Sequence, residues 1–473
     1  MVSGGFTEAD AAAFAAAAEH ARAYRSGVAA APVRPDRDYV ASLAAFGEPL
    51  PEIGMPTDRV IAELTEKADP GIMGFVHPSF HGWVTGASHP AGVAADWLAS
   101  AWGQVTSYAE PSPSASAAEE IAGTWLLDML GLPEGSGFGL ATGTTMANFV
   151  GLAAARNEML ARAGWDVEEK GLFSAPEVQV VLGGEAHSSV YLTLRLLGFG
   201  AGRVHIAEAD DQGRMRPDSL ESALNGLDGP TVVCLQAGNV NSGAFDPFND
   251  LIPLARKKSA WVHVDGAFGL WARASRALDA LTGGLDNADS WAADAHKWLQ
   301  VPYDCGIAVV RDTAAMQRAM HISAAYLADS AHRDPNAFAP EMSRRARGLS
   351  LWAVIKALGR AGVAEMIERH CAVARHVAEC LRDEPGLHVL NDVVLNQVVV
   401  ACGDAGDARA DGWTRETLRR VQQGGRAYPS HGRWRGREII RISVCAGPTD
   451  MDRGAETADA VAAAWRTVKE QAA

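Results

Sequence analysis

The chain has few cysteines, no surplus of basic residues and no long apolar run. Its six cysteines, at 234, 305, 371, 380, 402 and 445, include no Cys-x-x-Cys pair and no zinc-type spacing. With no disulfide framework or zinc ribbon in view, free thiols in a reducing compartment are expected. Forty-two Lys and Arg stand against 57 Asp and Glu, a net charge of −15. That balance argues against a nucleic-acid or anionic-membrane partner, and an anionic ligand would have to be held by local donors. No window approaches a membrane span. No basic region followed by an apolar run opens the chain, so a cytoplasmic protein is expected. A dinucleotide fingerprint is missing too. Glycines fall at 137, 139 and 143, but Gly-x-Gly-x-x-Gly needs one at 142, which is Thr.

What is present describes a globular protein, 48% hydrophobic and 21% charged over 473 residues, long enough for two or three sub-domains. Residues 1 to about 27 are alanine-rich with Phe6, Phe14 and Tyr24 at helical spacing, and Thr7 is a plausible cap. Short helices follow over 36–43 and from Pro56, with Val60, Ile61 and Leu64. Such helices bury little alone and need a partner, either the main domain or a second subunit. Further helices are expected over 91–102 and 114–130.

From Leu132 strands and helices alternate. The apolar runs 178–182, 204–206, 231–235, 261–264, 290–293 and 307–310 are continuous rather than alternating, as in strands covered on both faces. The fold class is therefore α/β with a mostly parallel central sheet flanked by helices. A helical region from Arg347 to about Leu381 leads to strands at 387–390, 397–401 and 438–444, then a last helix from Asp450 to about 468. The expected division is a helical N-terminal segment (1–90), a large domain (91–355) and a small α+β domain (356–473).

The chemistry concentrates in loops that follow strands. In Ser290 to Gly306, Lys297 lies between His296 and Trp298, just past an apolar run. Aromatic neighbours and little water disfavour the ammonium form, and a free amine is a nucleophile toward an aldehyde. Asp265 ends the apolar run Trp261–Val264 one crossover earlier. Lysine plus strand-end acid suggests pyridoxal 5'-phosphate (PLP). Lys297 would hold the aldehyde as a Schiff base, and Asp265 would pair with the pyridinium nitrogen. Taken singly, the lysine reads as a solvated side chain and the aspartate as a helix cap.

Gly143, Thr144 and Thr145 open a helix running to Arg162, and free N–H groups there cradle a phosphate. His187 follows the run 178–182, placed to stack on a cofactor ring or simply to start a helix with Ser188 and Ser189. Asn239 would donate to the cofactor or form a turn. The His- and Gly-rich stretch 77–90 either lines a pocket or plugs one domain against the next. His77 and His81 are four apart, but Pro78 and Gly82 oppose a helix there, so no metal site is expected.

His187-Ser-Ser-Val, His263-Val-Asp265-x-Ala267, His296-Lys297-Trp298, Arg344-Arg345-Ala-Arg347 before Trp352, and Arg441-Ile-Ser-Val-Cys together carry a resemblance. The chain resembles the group II PLP-dependent amino-acid decarboxylases, the family of aromatic-L-amino-acid and glutamate decarboxylases, from about Phe75 to its end. The resemblance implies PLP fold type I, a homodimer with active sites at the subunit interface, and decarboxylation of an L-amino acid to the amine and CO2. By the family pattern Lys297, Asp265 and His187 are the catalytic and cofactor residues. Gly143, Thr144 and Thr145 match the phosphate loop, with His296 beside the phosphate and Ala267 under the ring. The segment 80–86 matches the substrate pocket, so His77, Phe80, His81, Trp83 and Thr85 are candidate pocket residues for an aromatic side chain.

One departure from that pattern stands out. The family carries a proton-donating tyrosine in a loop after the lysine, and the corresponding segment here, 328–341, has none. Counting back from Arg344-Arg345 puts Pro335 at that position, while Tyr326 matches the start of the loop. Loss of this tyrosine diverts relatives toward an aldehyde-forming, oxygen-using reaction. Either His332 or another group supplies the proton, or the oxidative reaction is the chain's own. Arg441 would face a substrate carboxylate or make an ordinary salt bridge.

Overall fold

A computed structural model describes residues 5–321 and 332–472. Tyr326 and positions 328–331 of the tyrosine-free segment lie outside the described residues. The apolar runs become a seven-stranded sheet in the spatial order Gly137–Ala141, Gly306–Val310, Ser290–Asp294, Trp261–Asp265, Thr231–Gln236, Gln179–Gly183, His205–Ala207. Pairing is parallel from Ser290–Asp294 through to His205–Ala207. Gly306–Val310 runs antiparallel to both of its neighbours. That single reversed strand leaves Gly137–Ala141 pointing the same way as the parallel set. The C-terminal ends of these strands therefore share one sheet edge, where ligands of open α/β sheets bind.

Both faces are covered, which is why the strands read as unbroken apolar runs. Trp271, Trp291 and Trp298 are fully buried around the sheet. Gly137–Ala141 is a strand the sequence pattern did not show, because its two glycines hide the apolar run. Those glycines answer to packing: a Cβ on Gly139 would lie 1.9 Å from the Phe338 carbonyl oxygen.

A second, five-stranded sheet has the order Phe80–His81, Tyr428–Trp434, Arg437–Ser443, Gln397–Cys402, Leu387–Val389. The N-terminal region is thus not wholly helical, since Phe80–His81 pairs parallel with Tyr428–Pro429. Tyr428–Trp434 was also hidden, by Pro429 and Gly432. It closes a hairpin through Arg435 and Gly436, both at positive φ (50° and 79°), the geometry of a tight hairpin turn. The expected long helix is Arg347–Arg382, broken at Gly359 (φ 62°), and the last helix is Met451–Ala472.

At the N-terminus, Thr7 caps the helix Glu8–Gly27. Its hydroxyl accepts from the Asp10 N–H, and the Asp10 carboxylate accepts from the Thr7 N–H. The following helices Tyr39–Phe46 and Thr57–Ala68 bury none of their residues within this chain. Among the described residues no helix is long and apolar enough to cross a membrane.

Candidate active site

Strand register brings the site together. Ala141 and Asp294 both stand opposite Gly306, so the two strands flanking Gly306–Val310 end level with each other. Asp265 stands level with Ala292 on one neighbouring strand and with Gln236 on the other. Gly306 must be glycine here: a Cβ would lie 2.5 Å from the Gly143 backbone. The loops leaving this edge surround a cavity of about 410 Å³. Its wall includes Gly143, Thr144, Thr145, His187, Asp265, Ala267, His296 and Lys297 from the expected set.

Asp265 is held by two hydrogen bonds in the wall. Ala267 donates its N–H to Asp265 Oδ1 at 3.2 Å, and Asn148 donates its amide to Oδ2 at 3.2 Å. Asn148 sits one turn into the helix after the glycine-threonine loop, on the same face as Thr144. Behind it a buried chain continues. His263 Nε2 meets Asn148 Oδ1 at 2.9 Å, His263 Nδ1 meets Ser290 Oγ at 2.8 Å, and Trp261 donates Nε1–H to the same Ser290 oxygen at 2.9 Å.

Donor inventory gives this chain a direction. Asn148 spends its NH₂ on Asp265, so its carbonyl must accept from His263, and His263 Nδ1 must accept from the serine hydroxyl. Burial pushes His263 down to about 3, keeping it neutral as this tautomer requires. Every link therefore points its proton toward Asp265. Burial pushes the Asp265 carboxyl above the ordinary carboxylate range, while the His187 and Lys297 charges and the Asn148 amide pull it back.

His187 takes the helix-starting reading and also faces the cavity. It caps the helix Ser188–Leu196, accepting the Ser189 N–H at Nδ1 (3.2 Å) with the Ser189 hydroxyl at 2.7 Å, and its ring lines the cavity. Burial pushes its imidazole below the ordinary histidine value, with Asp265 opposing.

Lys297 departs from expectation. Instead of a dry aromatic pocket it has an acid: Nζ lies 2.8 Å from Asp294 Oδ2. Asp294 Oδ1 accepts the Thr144 N–H at 2.7 Å and lies 3.5 Å from His296 Nε2. The sequence reading passed over Asp294, although the rule that singled out Asp265, an acid closing an apolar strand, applies to it equally. His296 accepts the Cys305 N–H at Nδ1 and stacks on Tyr303, ring centroids 4.2 Å apart. Tyr303, Phe268 and Gln236 are wall residues that no local pattern marked.

Several expected residues lie elsewhere. Asn239 is consumed by its turn. Its Oδ1 accepts the N–H groups of Asn241 and Ser242, and its amide donates to Glu185. Of the segment 77–85, only Trp83, Val84 and Thr85 reach the wall. His77 accepts the Ser79 N–H within its own segment, whereas His81 pairs with Thr457 at 3.0 Å and Phe80 stacks on Tyr428 at 5.7 Å, so these two join the N-terminal region to the small domain. Pairing of Phe80–His81 with Tyr428–Pro429 holds both side chains against the small domain instead. His332 is exposed and is not in this chain's cavity wall, and Pro335 is buried in the turn Pro335–Phe338. Arg441 makes no carboxylate pair among the described residues. It donates to the Val240 carbonyl and to Asn241 Oδ1, leaving its buried Nε without a partner.

The donor set fits a phosphorylated pyridine aldehyde. An amine, a buried carboxylate and a helix N-terminus meet in one cavity. Thr144 Oγ1 is buried without a hydrogen-bond partner, a donor free for an anion. A Cβ on Gly143 would crowd that spot, at 3.3 Å from His296 Cε1.

Comparison with known proteins agrees. Residues 41–402 match the pyridoxal-dependent decarboxylase conserved domain. Tryptophan decarboxylase 1 of Oryza sativa subsp. japonica is 30% identical over 426 residues, 83% of this chain and 81% of that one. Phenylacetaldehyde synthase of Arabidopsis thaliana is 26% identical over 435 residues, 88% and 86% of the two chains. The crystal structure of Oryza sativa TDC with PLP and tryptamine covers 99% of both chains at 26% identity, with a TM-score of 0.89. This chain therefore belongs to the pyridoxal-dependent decarboxylases, carboxy-lyases of PLP fold type I, and its cofactor is pyridoxal 5'-phosphate.

Proposed function

We propose that the chain decarboxylates an aromatic L-amino acid to the amine and CO₂, as a cytoplasmic homodimer with its active sites at the subunit interface. The observation that carries the chemistry is the meeting of Lys297, Asp265 and the Thr144 helix N-terminus in one cavity. When bound, pyridoxal phosphate supplies an aldehyde for the substrate amine and a ring that accepts the electron pair left as CO₂ departs. Lys297 Nζ would hold the aldehyde carbon. Asp265, fed by the Asn148 chain, would keep a proton on the ring nitrogen, stabilising charge where it develops. His187 and Ala267 would pack against the ring. Gly143, Thr144 and Thr145 would take the phosphate, with His296 as a neighbouring donor.

Trp83, Phe268 and Tyr303 give the cavity an aromatic wall. Among the described residues Lys297 is its only Lys or Arg, so a second substrate carboxylate would have no cation in the wall. Arg441 lies outside that wall, donating to the Val240 carbonyl and Asn241 Oδ1 with its buried Nε orphaned. Tyr303 lines the cavity with its hydroxyl hydrogen-bonded to Thr85, and in this reading its phenol is the proton donor that completes the amine. The sequence similarity to a tryptophan decarboxylase supports an aromatic substrate. Exposed apolar residues of the N-terminal helices support the dimer. Phe14, Ile61, Trp97 and Leu98 line an open groove of about 690 Å³. The free cysteines support a reducing compartment.

A second reading, oxidation to the aldehyde with peroxide and ammonia, is favoured by Pro335 at the tyrosine position and by similarity to a phenylacetaldehyde synthase. Incubation of the purified chain and cofactor with a panel of L-amino acids separates the two. Amine with CO₂ supports the main reading, aldehyde with peroxide the second, and neither product from any aromatic substrate overturns both. A visible absorbance band that disappears in Lys297→Ala identifies the lysine.

A further inference from the structure

We infer that Asp294 is a built-in rival of the cofactor's phosphate and limits how tightly this chain holds pyridoxal phosphate. The inference rests on the cradle reading given above. Asp294 Oδ1 takes the Thr144 N–H at 2.7 Å, the same helix N-terminus that a phosphate requires. Its other oxygen takes Lys297 Nζ at 2.8 Å, the nitrogen an aldehyde requires. One carboxylate thus engages both groups that bind the two ends of the cofactor.

Asp294 cannot easily withdraw. Its residue is 2% exposed. Its N–H donates to the Ala267 carbonyl at 2.8 Å, and its carbonyl accepts from Trp271 Nε1 at 2.9 Å. The backbone is held on both sides, so only side-chain torsions can yield. The neighbouring space is tight as well, since a Cβ on Gly143 would come 3.4 Å from Asp294 Oδ1. A phosphate using the orphaned Thr144 hydroxyl would lie alongside this buried carboxylate, and like charges that close oppose each other. His296 Nε2 lies 3.5 Å away, but burial pushes its imidazole below the ordinary histidine value, so it adds little opposing charge.

Asp294→Asn separates charge from shape, because the amide oxygen still accepts the Thr144 N–H. Titration of the purified chain with pyridoxal phosphate, read by the visible band and by calorimetry, should show the variant binding about tenfold tighter than wild type. Pyridoxal, which lacks the phosphate, should gain less than about twofold. Asp294→Ser, neutral and smaller, should move in the same direction. Unchanged or weaker binding of pyridoxal phosphate by both variants overturns the inference. An equal gain for pyridoxal also overturns it, by moving the effect to Lys297. A wild-type chain that binds no pyridoxal phosphate overturns the cradle reading itself, a separate outcome.

Discussion

Asn148 holds Asp265 with a single amide hydrogen bond of 3.2 Å, and that bond ends a buried chain reaching back through His263 and Ser290 to Trp261. All of these residues are packed between the helix Thr144–Arg162 and the sheet. Gly151 makes that packing possible, since a Cβ there would lie 2.8 Å from the His263 ring.

Asp265→Asn keeps the shape and removes the charge. Turnover should fall by roughly 10²–10³-fold, the usual scale for losing a preorganised electrostatic partner. The cofactor should still bind through Lys297 and the Thr144 cradle. Cofactor content after gel filtration and CO₂ release are the two measurements, and normal CO₂ release would remove Asp265 from the mechanism.

Asn148→Leu cuts the buried chain next to the acid. Burial already raises Asp265, and the Asn148 amide is one of the contacts lowering it. Without that donor the acid rises further, so a smaller fraction is ionised at a given pH. The acid limb of the kcat/KM profile should move to higher pH, and turnover at neutral pH should drop about tenfold. An acid limb that stays in place would show that the chain serves packing alone.

Stability should depend on three buried histidines. Burial pushes His81 down to about 4 and His263 and His370 down to about 3. Unfolded, each returns to about 6.5. Above that pH neither state binds the proton, and stability is complete. Below it the unfolded chain gains protons that the folded chain refuses, at up to about 1.4 kcal/mol per histidine per pH unit. Urea midpoints should therefore fall from pH 7 to pH 5. His370→Asn, whose oxygen still accepts the Trp298 Nε1–H, should flatten the trend. A midpoint independent of pH would contradict the burial of these rings.

Trp97→Asp combined with Leu98→Asp places two charges on the groove beside Phe14 and Ile61. Light scattering should find one chain where wild type shows two, with activity lost alongside. Retention of the two-chain mass by the variant would place the interface elsewhere.

Much of the site was legible locally. His187, Asp265, His296 and Lys297 each follow a strand and have chemistry that polar loops rarely need, and all four line the cavity. The pocket segment was legible only in part. Trp83 and Thr85 reach the cavity, whereas His77, Phe80 and His81 are spent on Ser79, Tyr428 and Thr457. Composition marked that stretch as unusual but carried no information about which partner each ring would meet. Asn239 shows the same limit, its side chain absorbed by the turn that its own loop required.

Continuous apolar runs, helix caps and the His-Lys-Trp and His-Val-Asp stretches are each local in sequence, so the α/β class and the cofactor followed from sequence alone. The contact between Asp294 and Thr144 spans 150 residues. It exists because one reversed strand, Gly306–Val310, is inserted between the two elements that carry them. Strand order is set by the summed packing of a whole sheet, to which no single segment commits, and so the acid beside Lys297 emerged only when the chain was folded.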